Sequence, residues 1–381
     1  MAKRHPIPQA WTEAFRPACR GRGMRYLSAS GFVLDDVFIT ELYPRVFHPD
    51  KDTDRLQITW TINIKPLAVD EILWKAFLPD VKMGPQMRIN RRVNGAFTVR
   101  PLRIDTGSMQ ITAASEPDWE PVLDHFDRVR ADFIATYPTA ADYVTALSER
   151  AHGIASGQDL TRSVTALIAA GRSADAARVA DEAIADGQSG GMSSTVDVLK
   201  YLAAYAKGPQ AYSAFQTTLI PTHDYKVLDE SRSSSSIGLC REHHPSSMRR
   251  MLAEMDGTDA WGIVVSVRPP SGQPEDFSNL RYLQAAGSAE AMVIELCQSG
   301  GAEMGAVSVR SVVGHPHGGA AEQNVEIVLP HGVETIAPHE VFEAAEAADM
   351  FESFYRADTI GEGYVLRAVE GYTSGGGHVR P

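Results

Sequence analysis

Residues 54–69, DRLQITWTINIKPLAV, contain the pattern that most constrains the fold, an alternation of apolar and polar side chains. The polar positions carry Gln, Thr or Asn, and the apolar positions are Leu56, Ile58, Trp60, Ile62 and Ile64. A period of two places alternate side chains on opposite faces of a strand. The segment is therefore predicted to be a strand with one face in a hydrophobic core.

The sequence on either side of this strand predicts a mixed sheet domain followed by helices. Residues 117–138 carry Trp119, Val122, Phe126 and further apolar side chains at helical spacing, which predicts a helix over the sheet. The following text is Ala-rich and helical in pattern. We therefore predict an N-terminal α+β domain over residues 1–138 and a helical connector over residues 139–221.

The remaining residues predict a second sheet domain behind a linker. The Ser-rich run DESRSSSSIG predicts a linker at 222–245. Short apolar runs separated by Gly, Pro, Asp and Ser predict a succession of strands, and one long helix and a closing strand follow them. These features predict an α+β fold, in which residues 246–372 form an antiparallel sheet with packed helices. Residues 373–381, rich in Gly, are predicted to be disordered.

Length and cysteine usage limit the class of protein. With 381 residues and 44% hydrophobic residues, the chain can form more than one core. The cysteines number three and are far apart in sequence, which favours a reducing compartment over a disulfide framework. The N-terminal text has basic residues without an apolar stretch of signal-peptide length. We therefore expect a cytoplasmic protein.

Charge is distributed unevenly along the chain. Residues 1–221 carry 25 Lys or Arg and 25 Asp or Glu, whereas residues 222–381 carry 11 and 23, so the whole net charge of −12 lies in the second part. An acidic surface repels nucleic acid and membranes and attracts cationic partners. A simple effect on solubility is the other interpretation.

Cys240, His243 and His244 lie together in GLCREHHP, and His315 and His317 follow in VVGHPHGG. A structural zinc site needs paired ligands such as C-x2-4-C with H-x3-5-H, and the sequence has no such pair. It also lacks the GxSxG, P-loop, GxGxxG and HExxH motifs. We therefore expect no metal, no cofactor and no catalytic residues. The alternative is a hydrolase or transferase whose dispersed site is built on Cys240, His243 and His244.

Residues 82–103, KMGPQMRINRRVNGAFTVRPLR, carry six Lys or Arg residues and no acid. Such a stretch can contact phosphate backbones, and Phe97 can stack on a base. More often a basic stripe is a solvated sheet face that pairs with acids elsewhere in the protein. A nucleic-acid-associated regulator therefore remains an alternative, but nucleic acid is not the partner that we expect.

Residues 340–355 predict an acidic amphipathic helix. Apolar side chains recur at helical spacing, at Val341, Ala345, Ala348, Phe351 and Tyr355. Carboxylates recur at every third residue, at Glu340, Glu343, Glu346, Asp349 and Glu352. Between residues 331 and 370 the only Lys or Arg residues are Arg356 and Arg367. Unpaired carboxylates at this density repel one another, so a cationic partner would stabilise them; a solvated helix face is the other interpretation.

The C-terminal text resembles a known family. The first matching element is RYLQAAG, with Tyr282, Leu283, Gln284 and Gly287, and the strand text MVIELC and the turn VVGHPHGG follow it. The second element matches at Val341, Phe342, Ala345, Phe351, Phe354, Tyr355 and Gly363. Over residues 246–370 the chain resembles the first immunity protein family of bacterial polymorphic toxin systems, which includes an inhibitor of a DNA cytosine deaminase toxin. Family members often close on a Trp, where this chain has Tyr364-Val365-Leu366-Arg367.

The N-terminal part resembles domain-of-unknown-function family four-three-zero-four through SGFVLDDVFITELYPRVF and ITWTINI, and this family implies no activity. The immunity resemblance implies a binding protein that neutralises a basic nuclease or deaminase toxin domain by occluding its active site. The expected partner is thus a cationic protein, with no membrane contact. The contact candidates are Glu340, Glu343, Glu346 and Glu352, with Tyr355 and Trp261 as aromatic anchors.

Overall fold

The computed structural model of the chain describes residues 6–49, 55–112, 115–150, 156–193, 196–229, 237–243, 246–269, 280–319 and 322–381. The chain divides into two compact units, Met1–Ser213 and Ala214–Pro381. Each unit combines helices with antiparallel sheet, and within the described ranges every pairing between named strands is antiparallel. The predicted α+β fold class is confirmed.

The first unit contains one sheet whose strands pair in sequence order. These strands are β1 (Arg25–Leu27), β2 (Ser30–Leu34), β3 (Phe38–Phe47), β4 (Arg55–Pro66) and β5 (Leu102–Thr112). Strand β4 is the strand predicted from alternation, and its Leu56, Ile58, Ile62 and Ile64 side chains are fully buried. The Trp60 ring lies over Gly107 of β5, where a Cβ atom would come within 2.2 Å of a ring carbon. Only glycine fits beneath this ring.

The helices that begin in the first unit are α1 (Pro6–Gly21), α2 (Leu67–Phe77), α3 (Pro85–Asn94), α4 (Glu120–Thr136), α5 (Ala140–Glu149), α6 (Gly157–Ala169), α7 (Ser173–Ala185), α8 (Val198–Ala206) and α9 (Pro209–Thr218). Helix α4 is the helix expected over residues 117–138. Together with α1 it covers the sheet, where Trp11, Phe15 and Phe126 share a core with Leu56 and Ile58.

Helices α5 to α8 share a second core with α2. Leu73 of α2 packs in one cluster with Tyr143, Val164, Ala180 and Leu202. The predicted connector at 139–221 is thus largely part of the first compact unit. The Ala-rich sequence identifies these helices because alanine favours helix, but small apolar faces do not specify which neighbour they will pack against.

A buried ion pair joins β4 to α2. Lys65 is 2% exposed and its ammonium lies 2.8 Å from the Asp70 carboxylate, which is fully buried. Lys65 also donates to the Thr98 hydroxyl at 2.6 Å and to the Val99 carbonyl at 2.9 Å. Burial lowers the pKa of Lys65, and the Asp70 carboxylate opposes this effect. These bonds fix the chain after α3 against the sheet.

The second unit is built on a larger sheet with order β16-β15-β11-β10-β9-β8-β6-β7, and β14 also pairs with β10. The strands are β6 (His223–Asp229), β7 (Ile237–Leu239), β8 (Ala260–Val267), β9 (Tyr282–Ser288), β10 (Ala291–Ser299), β11 (Ser308–Gly314), β12 (Val325–Leu329), β13 (Gly332–Ile336), β14 (Val341–Phe342), β15 (Val365–Tyr372) and β16 (His378–Val379). The helices are α10 (Ser246–Ala253) and α11 (Ala344–Ala357).

Two apolar clusters hold this unit together. The larger cluster joins α10 and α11 to the main sheet and includes Leu252, Ile294 and Phe351. The smaller cluster joins the separate β12–β13 hairpin to the sheet through Ile327 and Val293. The hairpin therefore has one buried face and one exposed face.

Two stretches expected to lack regular structure contain strands. Strands β6 and β7 lie inside the predicted linker 222–245, although most of its Ser-rich run lies outside the described residues. Strand β16 lies inside the predicted disordered tail 373–381 and pairs with β15. The linker prediction did not take account of the apolar side chains in HDYKVLD, the sequence of β6. The tail prediction failed because a short strand can form through backbone hydrogen bonds with almost any side chains.

Replacing Lys65 by Met is expected to lower the free energy of unfolding by about 3 to 5 kcal/mol, because it leaves the Asp70 carboxylate buried without its main counterion. The measurement is urea unfolding. Lys207→Met is the matched control, since the Lys207–Asp181 pair has side chains 46% and 48% exposed. The control is expected to lose about 1 kcal/mol or less. Equal losses in the two variants would contradict the structural role of Lys65.

Candidate functional site

Glu340, the first of the predicted contact carboxylates, is buried. Helix α11 begins at Ala344, and Glu340 instead ends the short 3-10 turn Pro338–Glu340 with 1% of its surface exposed. Its carboxylate accepts hydrogen bonds from Arg367 at 2.6 and 2.9 Å and from the Ala337 amide at 2.9 Å. Burial alone would raise the pKa of Glu340, but these donors hold it below its ordinary value. Glu340 is a structural residue, and its prediction as a contact residue is wrong.

Tyr355 is also part of the core. It is 1% exposed, packs in the cluster beneath α11, and its hydroxyl donates to the His243 carbonyl at 3.1 Å. Burial raises the pKa of the phenol. A side chain at this depth cannot anchor a partner, so the prediction of Tyr355 as an anchor is corrected. The helical spacing predicted that Tyr355 lies on the buried face of the helix, and the structure confirms that prediction.

The other carboxylates of α11 are largely paired within the chain. Glu346 lies 2.9 Å from His315 Nε2 and accepts a hydrogen bond from the Tyr364 hydroxyl at 3.0 Å. Glu352 pairs with Arg356 at 3.1 Å, and Asp349 pairs with Arg249. Glu343 is exposed at the start of the helix and makes no ion pair among the described residues. Two of these four carboxylates are therefore paired with arginines of the same unit, and a third is hydrogen-bonded within it.

A cluster of uncompensated carboxylates lies on the β12–β13 hairpin and just before it. Residues 322–337 contain three glutamates and no Lys or Arg. Glu322, Glu326 and Glu334 are all exposed, and none of them makes an ion pair within the described part of the chain. The net charge of this segment is thus available to a partner.

The exposed face of the hairpin carries two valines. Val328 is 67% exposed and Val333 is 55% exposed, and the strand register places them directly opposite each other. Glu326 and Thr335 form the next pair on the same face. We call these four residues the hairpin surface. The sequence analysis did not identify this surface. The signal was Val328, an apolar residue at a position where the alternation of Val325, Ile327 and Leu329 calls for a polar one.

Trp261, the second predicted anchor, lies near the hairpin turn. The register of β6 against β8 shifts between Leu228 and Asp229, which leaves Trp261 as the extra residue of a β-bulge. Its half-buried ring meets the His331 ring edge-on, with centroids 5.1 Å apart. The two rings border a cavity of about 470 Å3 that also touches Asp229. Trp261 and the hairpin therefore lie close together, which the sequence did not indicate.

Cys240 and His243 show no features of a nucleophilic site in the described structure. Cys240 is 4% exposed and His243 is 7% exposed, and burial raises the pKa of the Cys240 thiol. A raised pKa disfavours the thiolate that attacks substrates. His244 lies outside the described residues. Within the described ranges, no group of three or more His, Cys, Asp or Glu side chains is arranged to hold a metal ion.

The second histidine motif takes part in ring contacts. His315 stacks on Phe342 with centroids 4.6 Å apart, and His317 stacks on His339 at 3.7 Å. The His315 ring is held further by the His339 carbonyl, 2.9 Å from Nδ1, and by Glu346. These contacts account for the motif as part of the turn after β11.

The basic stretch 82–103 is partly neutralised inside the first unit. Arg88 and Arg92 both pair with Glu71, and the Phe97 ring packs against Phe77 with centroids 5.7 Å apart. Phe97 is therefore not free to stack on a base. Three side chains remain exposed without an ion pair among the described residues: Lys82, Arg100 and Arg103.

Comparison with known protein families, with curated proteins and with solved structures finds no match to this chain. Among the described helices, none combines the length and apolar character that a membrane-crossing segment requires.

Replacing Glu340 by Gln is expected to lower the free energy of unfolding at neutral pH by about 2 kcal/mol, because a buried charge-assisted hydrogen bond is lost. The folded-state pKa of Glu340 lies below its ordinary value, so its contribution is present above the ordinary carboxyl pKa of about 4.3 and disappears as pH falls through the folded value. The difference between wild type and E340Q should shrink accordingly in urea titrations at decreasing pH. E343Q, at an exposed position, should change stability by about 0.5 kcal/mol or less. A constant difference across the acid range would contradict this assignment.

The three cysteines, Cys19, Cys240 and Cys297, are free and buried, and burial raises the pKa of each thiol. The native chain should therefore react slowly with iodoacetamide at about pH 7.5, and unfolding in urea should expose all of them. Mass spectrometry of the alkylated chain measures both states. Fast, selective labelling of native Cys240 would instead restore the nucleophile hypothesis.

Proposed function

We propose that this chain is a binding protein whose second unit docks a cationic protein through the hairpin surface. The observation that carries the proposal is the exposed pair Val328 and Val333 among glutamates that have no internal counterion. The sequence led us to expect a negative docking surface on α11. We still propose a negative docking surface, but we assign it to the hairpin.

The apolar part of the surface supplies contact area. Val328 and Val333 lie side by side on a two-stranded sheet, and the opposite face of that sheet already packs through Ile327 on the rest of the unit. Covering both valines would remove apolar surface from water. Side chains that are buried centrally in an interface set the lifetime of a complex more than those at its rim.

The charged part of the surface selects the partner. Glu326 is the carboxylate of the hairpin surface, while Glu322 precedes β12 and Glu334 lies opposite Ile327 on the other face. None of the three has a base paired with it in the described structure, so a lysine- or arginine-rich surface can approach without displacing an existing ion pair. Complementary charge of this kind raises the association rate and fixes the orientation of the partner. The same carboxylates disfavour nucleic acid and anionic membranes as partners of this surface.

Trp261 extends the docking surface at the hairpin turn. Tryptophan is enriched among residues that dominate binding energies, because one rigid ring covers a large area. The neighbouring cavity of about 470 Å3 offers space for a partner side chain beside this ring. Lys226 and Asp229 at its border can hydrogen-bond to the entering group.

The biological role that we propose is neutralisation of a toxin. Nuclease and deaminase toxins bind phosphate, so their substrate clefts are basic, and a carboxylate-rich hairpin can occupy such a cleft in place of the substrate. We draw this role from the motif resemblance of residues 246–370 to immunity proteins, which no family model matches, and it is a narrower proposal than binding itself. Occlusion of the cleft requires no catalytic residue on this chain.

The first test uses the full-length chain as bait in extracts of its native host. A small basic protein should be captured in a complex that dissociates as salt rises, and the purified partner should bind with defined stoichiometry in calorimetry. Addition of the chain should then abolish the partner's nuclease or deaminase activity at equimolar amounts. Capture of no basic protein would contradict the binding proposal, and capture without inhibition would contradict the toxin role alone.

The second test locates the surface on the purified complex. V328S combined with V333S should raise the dissociation rate by about tenfold or more, because the central apolar contact is removed. E326Q should lower the association rate and weaken its dependence on salt, because it removes the carboxylate that lies on the same face as the two valines. Both rates are measured by surface plasmon resonance.

Matched variants elsewhere in the unit control for general effects. Ile237→Ser removes an apolar side chain that is 50% exposed on β7, and E343Q combined with E352Q removes two charges from α11. Neither control should change the rates appreciably. Weakening by the α11 variant but not by the hairpin variants would place the interface on α11 and reject the hairpin surface.

A further inference from the structure

A cavity in the acidic second unit is lined by several bases. Its volume is about 620 Å3, which lies in the range of small-molecule sites. The polar lining consists chiefly of Arg241, Arg268, Arg356, His223 and Asp358. Residues 222–381 contain only 11 Lys or Arg residues, so three of them around one cavity is a local concentration.

The three guanidinium groups are not equally engaged. Arg268 forms a two-fold ion pair with Asp224, at 2.7 and 2.6 Å, and Arg356 pairs with Glu352 through Nε at 3.1 Å. Arg241 is exposed and makes neither an ion pair nor a hydrogen bond among the described residues. Its charge is the one that remains uncompensated at the cavity.

His223 supplies an independent indication of a ligand. It is 5% exposed, and Thr222 Oγ1 lies 3.0 Å from its Nδ1. Its Nε2 atom is buried without a hydrogen-bond partner in the described structure. Desolvation lowers the pKa of the ring, which favours its uncharged form. Buried polar atoms are usually hydrogen-bonded in folded proteins, so a ligand in this cavity can supply the partner of Nε2.

The negative groups at the cavity are themselves paired. Asp358 is bonded to Arg281, which offsets its charge. The cavity also touches the C-terminal end of α11, whose dipole disfavours anions, but Arg356 lies in this last turn and opposes the dipole. The lining therefore presents donors on balance, with Arg241 as the unpaired cation.

We propose that this cavity binds the phosphate group of a small phosphorylated molecule. A phosphate offers three acceptor oxygens, and guanidinium groups bind it through paired N–H donors, so it can engage Arg241 and other donors of the lining at once. The volume exceeds the needs of the anion alone, and Val267 and Pro269 form an apolar wall for an organic substituent. The site shares no residue with the hairpin surface, so the two proposals are tested separately.

The test measures binding of phenyl phosphate and of benzoate to the full-length chain by calorimetry, with chloride holding the ionic strength constant. Phenyl phosphate is expected to bind saturably at one site. Benzoate is expected to bind at least about tenfold more weakly. Arg241→Gln should weaken phenyl phosphate binding by about tenfold, since hydrogen bonds to charged groups are worth roughly this factor. Arg250→Gln is the matched control, because it removes the same charge from an exposed residue of α10 away from the cavity.

Three results would overturn the proposal: no saturable binding of phenyl phosphate, equal or tighter binding of benzoate, or equal affinities in the Arg241 and Arg250 variants. A second measurement uses the imidazole signals of His223 in nitrogen-15 spectra of the wild-type chain. These signals should shift as phenyl phosphate saturates the chain. Unchanged His223 signals at saturation would place the ligand elsewhere.

Discussion

The hairpin of the second unit depends on the contact between Glu340 and Arg367. The carboxylate caps the turn that follows β13 through the Ala337 amide, and it holds Arg367 of β15, a strand of the main sheet. A charge at this depth is tolerated because each carboxylate oxygen accepts a hydrogen bond, and the pair would be costly to break from one side. The exit of the hairpin is thereby fixed to the sheet on which its inner face packs. This attachment keeps the exposed face of the hairpin, with Val328 and Val333, in one orientation.

The fold was predictable where a single element carries its own pattern. The alternation of β4 and the helical spacing of α4 both identify buried faces that the structure contains. The sequence did not show which elements pack against one another. Helices α6 to α8 bury mainly alanine, valine and leucine, which fit many neighbours, and their packing on α2 follows from the tertiary fold. The short strands β7 and β16 rest on backbone pairing, which leaves little trace in the sequence.

The candidate site was predictable in its charge but not in its position. Composition identifies the second unit as acidic, yet pairing decides which carboxylates are available. Glu340 is neutralised by a residue 27 positions later, and Asp349 by a residue 100 positions earlier. Helical periodicity contains no information on such distant pairs. Several available glutamates lie together on and just before the hairpin, where the sequence marks them only by the absence of nearby Lys and Arg.

The main sheet of the second unit ends in very short strands. Among the described strands, β7 with three residues and β16 with two are the outermost. An edge this short offers few free backbone groups to an incoming strand, which is how many proteins resist edge-to-edge aggregation. Recognition by extension of this sheet is therefore disfavoured. At β7 and β16 the unit therefore presents mainly side chains to another molecule, so selectivity at these two edges would reside in shape and charge.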